Sequence, residues 1–136
     1  MFEHFIGAQE PVYAQVLAEL RAGRKASHWM WFIFPQLTAL GRSATALRYG
    51  IDDLGTAQAY LRHAVLGPRL VECTRLVLGV DGRTAHEIFG SPDDLKFRSS
   101  MTLFGRADPG QPAFAEALAK YYDGIEDPRT VELLHE

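Results

Sequence analysis

The chain is poor in the features that would place it quickly. It has one cysteine, Cys73, so it cannot form an intramolecular disulfide or build a zinc site on cysteine ligands. Its five histidines, His4, His28, His63, His86 and His135, are scattered, and none forms the i, i+4 pair that would present two imidazoles on one helical face, so no metal is expected. The longest strongly apolar run, Trp29 to Phe34, falls far short of the roughly 20 residues of a membrane span. The opening Met1-Phe2-Glu3-His4-Phe5 has no basic segment followed by an apolar stretch, which argues against a secretory signal and for a cytoplasmic protein. Neither sign of charge dominates: 14 basic against 17 acidic side chains leave a net charge of −3. General nucleic-acid binding through a basic footprint is therefore not expected. There is no Walker-type phosphate loop, no Gly-x-Gly-x-x-Gly and no Gly-x-Ser-x-Gly elbow. That set of absences weighs against the common nucleotide-hydrolysing and acyl-transfer classes.

What the 136 residues do contain is helical periodicity almost throughout, with 47% hydrophobic and 23% charged residues, the balance of a globular domain. Val12, Val16 and Leu20 mark the buried face of a helix over about 11–22, with Gly23 suited to the left-handed position after it. Ser27 is a plausible N-cap for a short helix that Pro35 ends. Ser43 and Asp53 cap the next two helices, and Leu66, Leu70, Cys73, Val77 and Val80 form the stripe of a long one. Thr84 and Glu87 have capping-box spacing. Ser91-Pro92-Asp93-Asp94 reads as a helix start, with the helix reaching about Phe104. Further helices follow over about 114–122 and from Asp127-Pro128. No segment alternates as a strand should. The expectation is an all-α fold: a single domain over 1–136 with about eight helices, several short.

Chemistry concentrates in two places. The segment Ser27-His28-Trp29-Met30-Trp31-Phe32-Ile33-Phe34-Pro35-Gln36 holds both tryptophans and two of the eight phenylalanines. It is either dense core or a pocket wall. His28 is a candidate acid or base. Trp29 and Trp31 are candidate stacking surfaces, but successive helical positions diverge by about 100°, so the two cannot both face one way. Gln36 is placed to read an amide or base edge. Arg24, Lys25 and His28 make a small cationic group beside this segment. The second place is the helix after Pro92. There Phe97, Met101 and Phe104 form a core stripe, while Lys96, Ser99 and Ser100 share another face and offer donors for phosphate or carboxylate. Arg69 stands near a helix start and suits an anion equally well as a surface carboxylate. Asp93 and Asp94 are candidate bases or ribose-binding carboxylates and Glu87 is a candidate proton carrier, although the first turn of a helix and a capping box already account for them.

Several of these strings together resemble a known family. They are Gly23-Arg24-Lys25, His28 through Gln36, Leu66-Gly67-Pro68-Arg69-Leu70, Ile88-Phe89-Gly90, and Asp94-Leu95-Lys96 through Ser99-Ser100-Met101-Thr102-Leu103-Phe104. The small bacterial family they resemble is catalogued as domain of unknown function 1810. The name calpastatin, often attached to its members, does not suit a folded helical domain, since that inhibitor is disordered and polar. The resemblance implies one helical domain and no established activity. The family is in turn distantly similar to YbiA-like (NADAR) domains, linked to ADP-ribose derivatives and to cleavage of N-glycosidic bonds, a likeness at the level of fold. One departure from the family pattern is His63-Ala64, where proline commonly follows the histidine.

The expected function is binding, with or without N-glycosidic hydrolysis, of an ADP-ribose-type phosphorylated ribose metabolite. Trp29 or Trp31 would stack on a ring. Lys96, Ser99, Ser100, Lys25 and Arg69 would hold phosphate, and Gln36 would contact the base. His28, Asp94 or Glu87 would handle the proton, with Glu72 a further carboxylate for glycosidic chemistry. No resident cofactor is expected. The alternative is a non-enzymatic protein-interaction module in which the aromatic segment is entirely core. Nothing in the sequence specifies an oligomeric state.

Overall fold

The computed structural model describes residues 1–135. Ten α-helices follow one another in the described chain: α1 Glu3–Gln9, α2 Tyr13–Arg21, α3 Met30–Ile33, α4 Ala44–Arg48, α5 Leu54–Arg62, α6 Leu66–Leu78, α7 Ala85–Phe89, α8 Asp93–Ala107, α9 Pro112–Tyr122 and α10 Pro128–Leu134, with a 3-10 turn at Thr38–Leu40. Among the described residues there is no strand, only an isolated parallel bridge between Leu37 and Ile51. The all-α expectation holds, with ten helices rather than about eight.

The local signals act as their chemistry requires. The Ser43, Asp53 and Asp127 side chains accept from the amides of Ala46, Thr56 and Thr130. Thr84 and Glu87 close a reciprocal capping box. Gly23 adopts φ +71°, ending the turn after α2.

Four local expectations are corrected. Helix α1 was not anticipated: Phe2 gives it no side-chain cap, and it is held by burial of Phe5 and Gln9. Helix α2 begins at Tyr13, with Pro11 in the preceding turn. Ser27 caps nothing; its hydroxyl is taken by Glu19, and α3 is a single turn that begins after Trp29. Helix α8 begins after Pro92 without a side-chain cap and continues to Ala107, where Ala107 remains buried one turn beyond Phe104.

Helix α8 is the central element. It packs against α5, α7, α9 and α10, while α6 packs against α2, α5 and α9. Phe97 lies at the middle of an aromatic cluster, with ring centroids 4.9 Å from Phe34 and 4.7 Å from Phe89. Phe104 continues the core to Tyr60 and Phe114. Tyr60 in turn meets Phe2 and Phe5. Edge-to-face and offset pairs of this kind add roughly 0.5–1.5 kcal/mol beyond their buried area. The Phe34–Phe97 contact fixes the short α3 segment against α8 and so determines where the aromatic run meets the polar face of that helix.

The α5–α6 corner is tight. A Cβ on the buried Gly67 would lie 2.0 Å from the Leu61 carbonyl oxygen, whereas a Cβ on Gly7 in α1 meets nothing within 4 Å. Gly67→Ala is therefore expected to destabilise the domain by about 2–3 kcal/mol, through displaced backbone. Gly7→Ala is expected to stabilise it by about 0.5–1 kcal/mol, because alanine is the better helix former. Thermal unfolding of the two variants checks both signs.

Candidate functional site

The loop between α2 and α3 is organised around one carboxylate. Glu19 is buried in α2, and its Oε1 accepts from the Ala26 amide at 2.6 Å, the Ser27 amide at 2.9 Å and the Trp29 indole N–H at 2.9 Å. Its Oε2 accepts from the Ser27 hydroxyl and from Gln15. Burial works against ionisation, but the hydrogen bonds from Ser27, Ala26, Gln15 and Trp29 outweigh it and hold the carboxyl at about 2, against an ordinary 4.5.

This arrangement carries Lys25 inward. The Lys25 amide donates to the Ile88 carbonyl at 2.7 Å. Its ammonium donates to the Ser27 carbonyl at 2.6 Å and pairs with Asp93 at 2.9 Å, with only 8% of the lysine side chain exposed. The same ammonium lies 5.2 Å from the Trp29 ring centroid. Trp29 itself is 1% exposed and belongs to the core.

Trp31 faces the other way. It is half-buried and lines a shallow cleft together with Met30, Phe34, Gln36, Tyr49 and Lys96, with a volume of about 10 Å³, room for about one water. The Lys96 ammonium stands 5.2 Å from the Trp31 ring centroid and 3.7 Å from the second oxygen of Asp93. Asp93 is thus a carboxylate shared between an inner lysine on the loop and an outer lysine at the cleft. The cleft offers an aromatic wall, an apolar floor from Phe34, an amide and a cation. That set offers a stacking face and a cation to a planar, anionic ligand group lying against the mouth of the cleft.

The structure therefore brings Lys25, Trp31, Gln36 and Lys96 into one neighbourhood, with Trp29 behind them. Other candidates lie elsewhere. Ser99 is buried and its hydroxyl donates to the Leu95 carbonyl at 3.1 Å. Ser100 is fully buried on the same stripe of α8 as Asp93 and Lys96, and its hydroxyl has no partner among the described residues. The two serines are thus turned inward and do not form a solvated face with Lys96. Asp94 points away from the cleft: one oxygen lies 3.5 Å from His86 Nδ1, the other is buried without a partner, and its backbone carbonyl accepts from Tyr122. Glu87 is exposed and engaged in the capping box, where the Thr84 amide holds its carboxyl below the usual range. His28 is exposed at the loop surface, away from any core face.

Arg69 lies on the α1–α2–α6 side. It donates to Gln9 at 3.2 Å and Glu10 at 2.7 Å and lies over the Tyr13 ring. Gln9 passes the contact on by donating to the Phe32 carbonyl at 2.7 Å, so Arg69 meets the aromatic segment only through a buried amide. On the same side, Glu72 accepts from Tyr13, and burial pushes the Cys73 thiol up to about 12, which makes it inert as a nucleophile. Among the described residues, no group of three or more His, Cys, Asp or Glu side chains is placed to hold a metal ion.

Sequence reading missed Glu19 and Tyr49. Glu19 left a signal: it falls on the same helical stripe as Val12 and Val16, where a carboxylate must find donors. Tyr49 left none, because only the fold carries the end of α4 to the cleft.

The family described as Protein of unknown function (DUF1810) matches over residues 1–134. The crystal structure of the conserved hypothetical protein Rv1873 from Mycobacterium tuberculosis is similar to this chain at 61% identity and a TM-score of 0.98, covering 99% of this chain and 96% of that one. No curated protein matches the chain.

Replacing Glu19 by Gln puts an amide among groups that all donate, and is expected to destabilise the domain by about 3 kcal/mol. Because the folded carboxyl ionises near 2, against an ordinary 4.5, its contribution is fully present above 4.5 and is lost as pH falls from there through 2. Unfolding midpoints measured from pH 7 to 2 should drop in that window by more for the native chain than for Glu19→Gln.

Proposed function

The chain belongs to the family described as Protein of unknown function (DUF1810), and from that premise we propose that it binds a phosphorylated ribose metabolite of the ADP-ribose type at the Trp31–Lys96 cleft. The observation that carries the reading is the Lys96 ammonium standing over the face of the half-exposed Trp31, at the mouth of a cleft closed by Gln36 and Tyr49. A ring stacked on the indole would place a neighbouring phosphate against Lys96, and Gln36 would contact the ring edge. The distant resemblance to YbiA-like domains supplies the ligand class. The cleft itself holds only about 10 Å³, so the ring would lie across its mouth against Trp31, and the rest of such a ligand would lie over Lys96 on the surface of α8.

The reading is one of binding first. Hydrolysis of an N-glycosidic bond needs a carboxylate or general acid at the anomeric carbon. The carboxylate beside this cleft is Asp93, already paired with Lys25, while Asp94 and Glu87 are engaged with His86 and Thr84. A protein-interaction module remains the alternative if the cleft takes no small ligand.

Thermal unfolding with ADP-ribose, NAD, AMP, ribose 5-phosphate and inorganic phosphate tests the proposal. A ligand at about 100 times its dissociation constant adds roughly 2.7 kcal/mol, a shift of several degrees for a domain of this size. ADP-ribose is expected to raise the midpoint, with Lys96→Ala removing most of the shift while leaving the unliganded midpoint within about a degree, since that side chain is partly exposed and its ion pair is long. No shift with any of the five at millimolar concentration overturns the reading.

A further inference from the structure

We propose that Asp93 sets how strongly the cleft attracts an anion, and that Lys25 is the buried counterion that keeps Asp93 from capturing Lys96. The ligand it would serve is the one proposed above, and in that respect the inference rests on the binding reading; the charge arrangement itself is a property of the unliganded chain.

The geometry is unequal in a way that matters. Asp93 reaches Lys25 at 2.9 Å and Lys96 only at 3.7 Å, and the three side chains are 19%, 8% and 26% exposed. Charge attraction rises as distance and solvent exposure fall, so the Lys25 pair is the strong one and the Lys96 pair the weak one. Lys25 is further fixed by its donation to the Ser27 carbonyl and by its own amide bond to Ile88, so it cannot follow a ligand outward. Lys96 has no such tether: its other neighbour is the face of Trp31. Two lysines and one aspartate leave the cluster with one positive charge, and that charge is carried by the residue at the cleft.

Asp93 and Lys25 therefore act in opposite directions. Without the Asp93 charge, both lysines would present positive charge toward the cleft. Without Lys25, Asp93 would turn its whole charge on Lys96, and the cleft would lose its attraction for anions. Asp93 and Lys25 act through Lys96, and both are positioning residues. An arrangement in which Asp93 itself contacted a ligand donor would give the reverse response.

Iodide quenching of tryptophan fluorescence tests this with a probe that is itself an anion. Trp29 is 1% exposed, so quenching by a solute reports on Trp31. Acrylamide, which is neutral, measures access alone, and the ratio of iodide to acrylamide quenching at fixed ionic strength isolates charge. Removing or exposing one unit charge several ångströms from the ring is expected to change that ratio by about twofold. Asp93→Asn should raise it and Lys25→Met should lower it. The double variant Lys25→Met/Asp93→Asn should return it to the native value or above, which simple damage to the loop would not do. An unchanged or lowered ratio in Asp93→Asn overturns the inference, as does a double variant that stays as low as Lys25→Met. ADP-ribose affinity, followed by the unfolding shift in the same variants, separates the two claims. The iodide order without any ADP-ribose shift leaves the charge arrangement standing and removes the ligand. A native ADP-ribose shift that Asp93→Asn weakens, with the fold intact, keeps the binding reading and overturns this one.

Discussion

The carboxylate of Glu19 is the constraint on which the aromatic end of this molecule depends. A charge buried in α2 is tolerated only because the following loop folds back and supplies two amides, a hydroxyl and an indole N–H, joined by Gln15 from the same helix. The dependence runs both ways. The Ala26–Trp29 backbone has no helix or sheet of its own, and without Glu19 its amides would be left to solvent or to the core. The same bonds that neutralise the cost of the buried charge decide that Trp29 goes inward, and with Trp29 inward the single turn of α3 presents Trp31 outward. Two tryptophans separated by one residue thus divide into a core residue and a cleft residue, a division made by a carboxylate ten positions before the first of them.

How much of this was legible follows from the range of each interaction. Caps at Ser43, Asp53, Thr84 and Asp127 were readable because donor and acceptor lie three residues apart, and the core stripe of α8 was readable because periodicity is local. Helix α1 was not, since it has no cap and contains Gly7; its helicity comes from seating Phe5 against Tyr60 and Tyr49 and from Gln9 reaching the Phe32 carbonyl. Ser27 looked like a cap for the same reason that it makes a good donor to Glu19, and sequence spacing alone does not say which acceptor wins. The polar face expected of Lys96, Ser99 and Ser100 is one lysine and two inward serines, because α8 is packed by neighbours on more sides than a surface helix would be. Clustering of Lys25, Trp31, Gln36 and Lys96 was half visible. Their chemistry was recognisable one residue at a time, but Asp93, which joins the two lysines, had an adequate local explanation in the first turn of its helix.

That last point bears on what a small helical domain can do with few charges. Three charged groups lie near the aromatic segment, Glu19, Lys25 and Asp93, and they are compensated in two ways. Glu19 is satisfied by neutral donors, so its negative charge is spread into the loop and the Gln15 amide without a counterion. Lys25 and Asp93 compensate one another directly. Lys96 then sits outside this closed set, 3.7 Å from a carboxylate whose closer partner is Lys25, against the face of an aromatic ring. A cation held in this way has already lost part of its hydration to the indole face and to its burial, while its electrostatic partner is largely spent. Replacing that weak pairing with a ligand anion costs less than breaking a full salt bridge, and less desolvation than recruiting a free surface lysine. The same reasoning explains why Arg69, with the larger and better-shaped donor group, is the poorer candidate: its guanidinium is already bonded to Gln9 and Glu10 and stacked on Tyr13, and an incoming anion would have to displace all three.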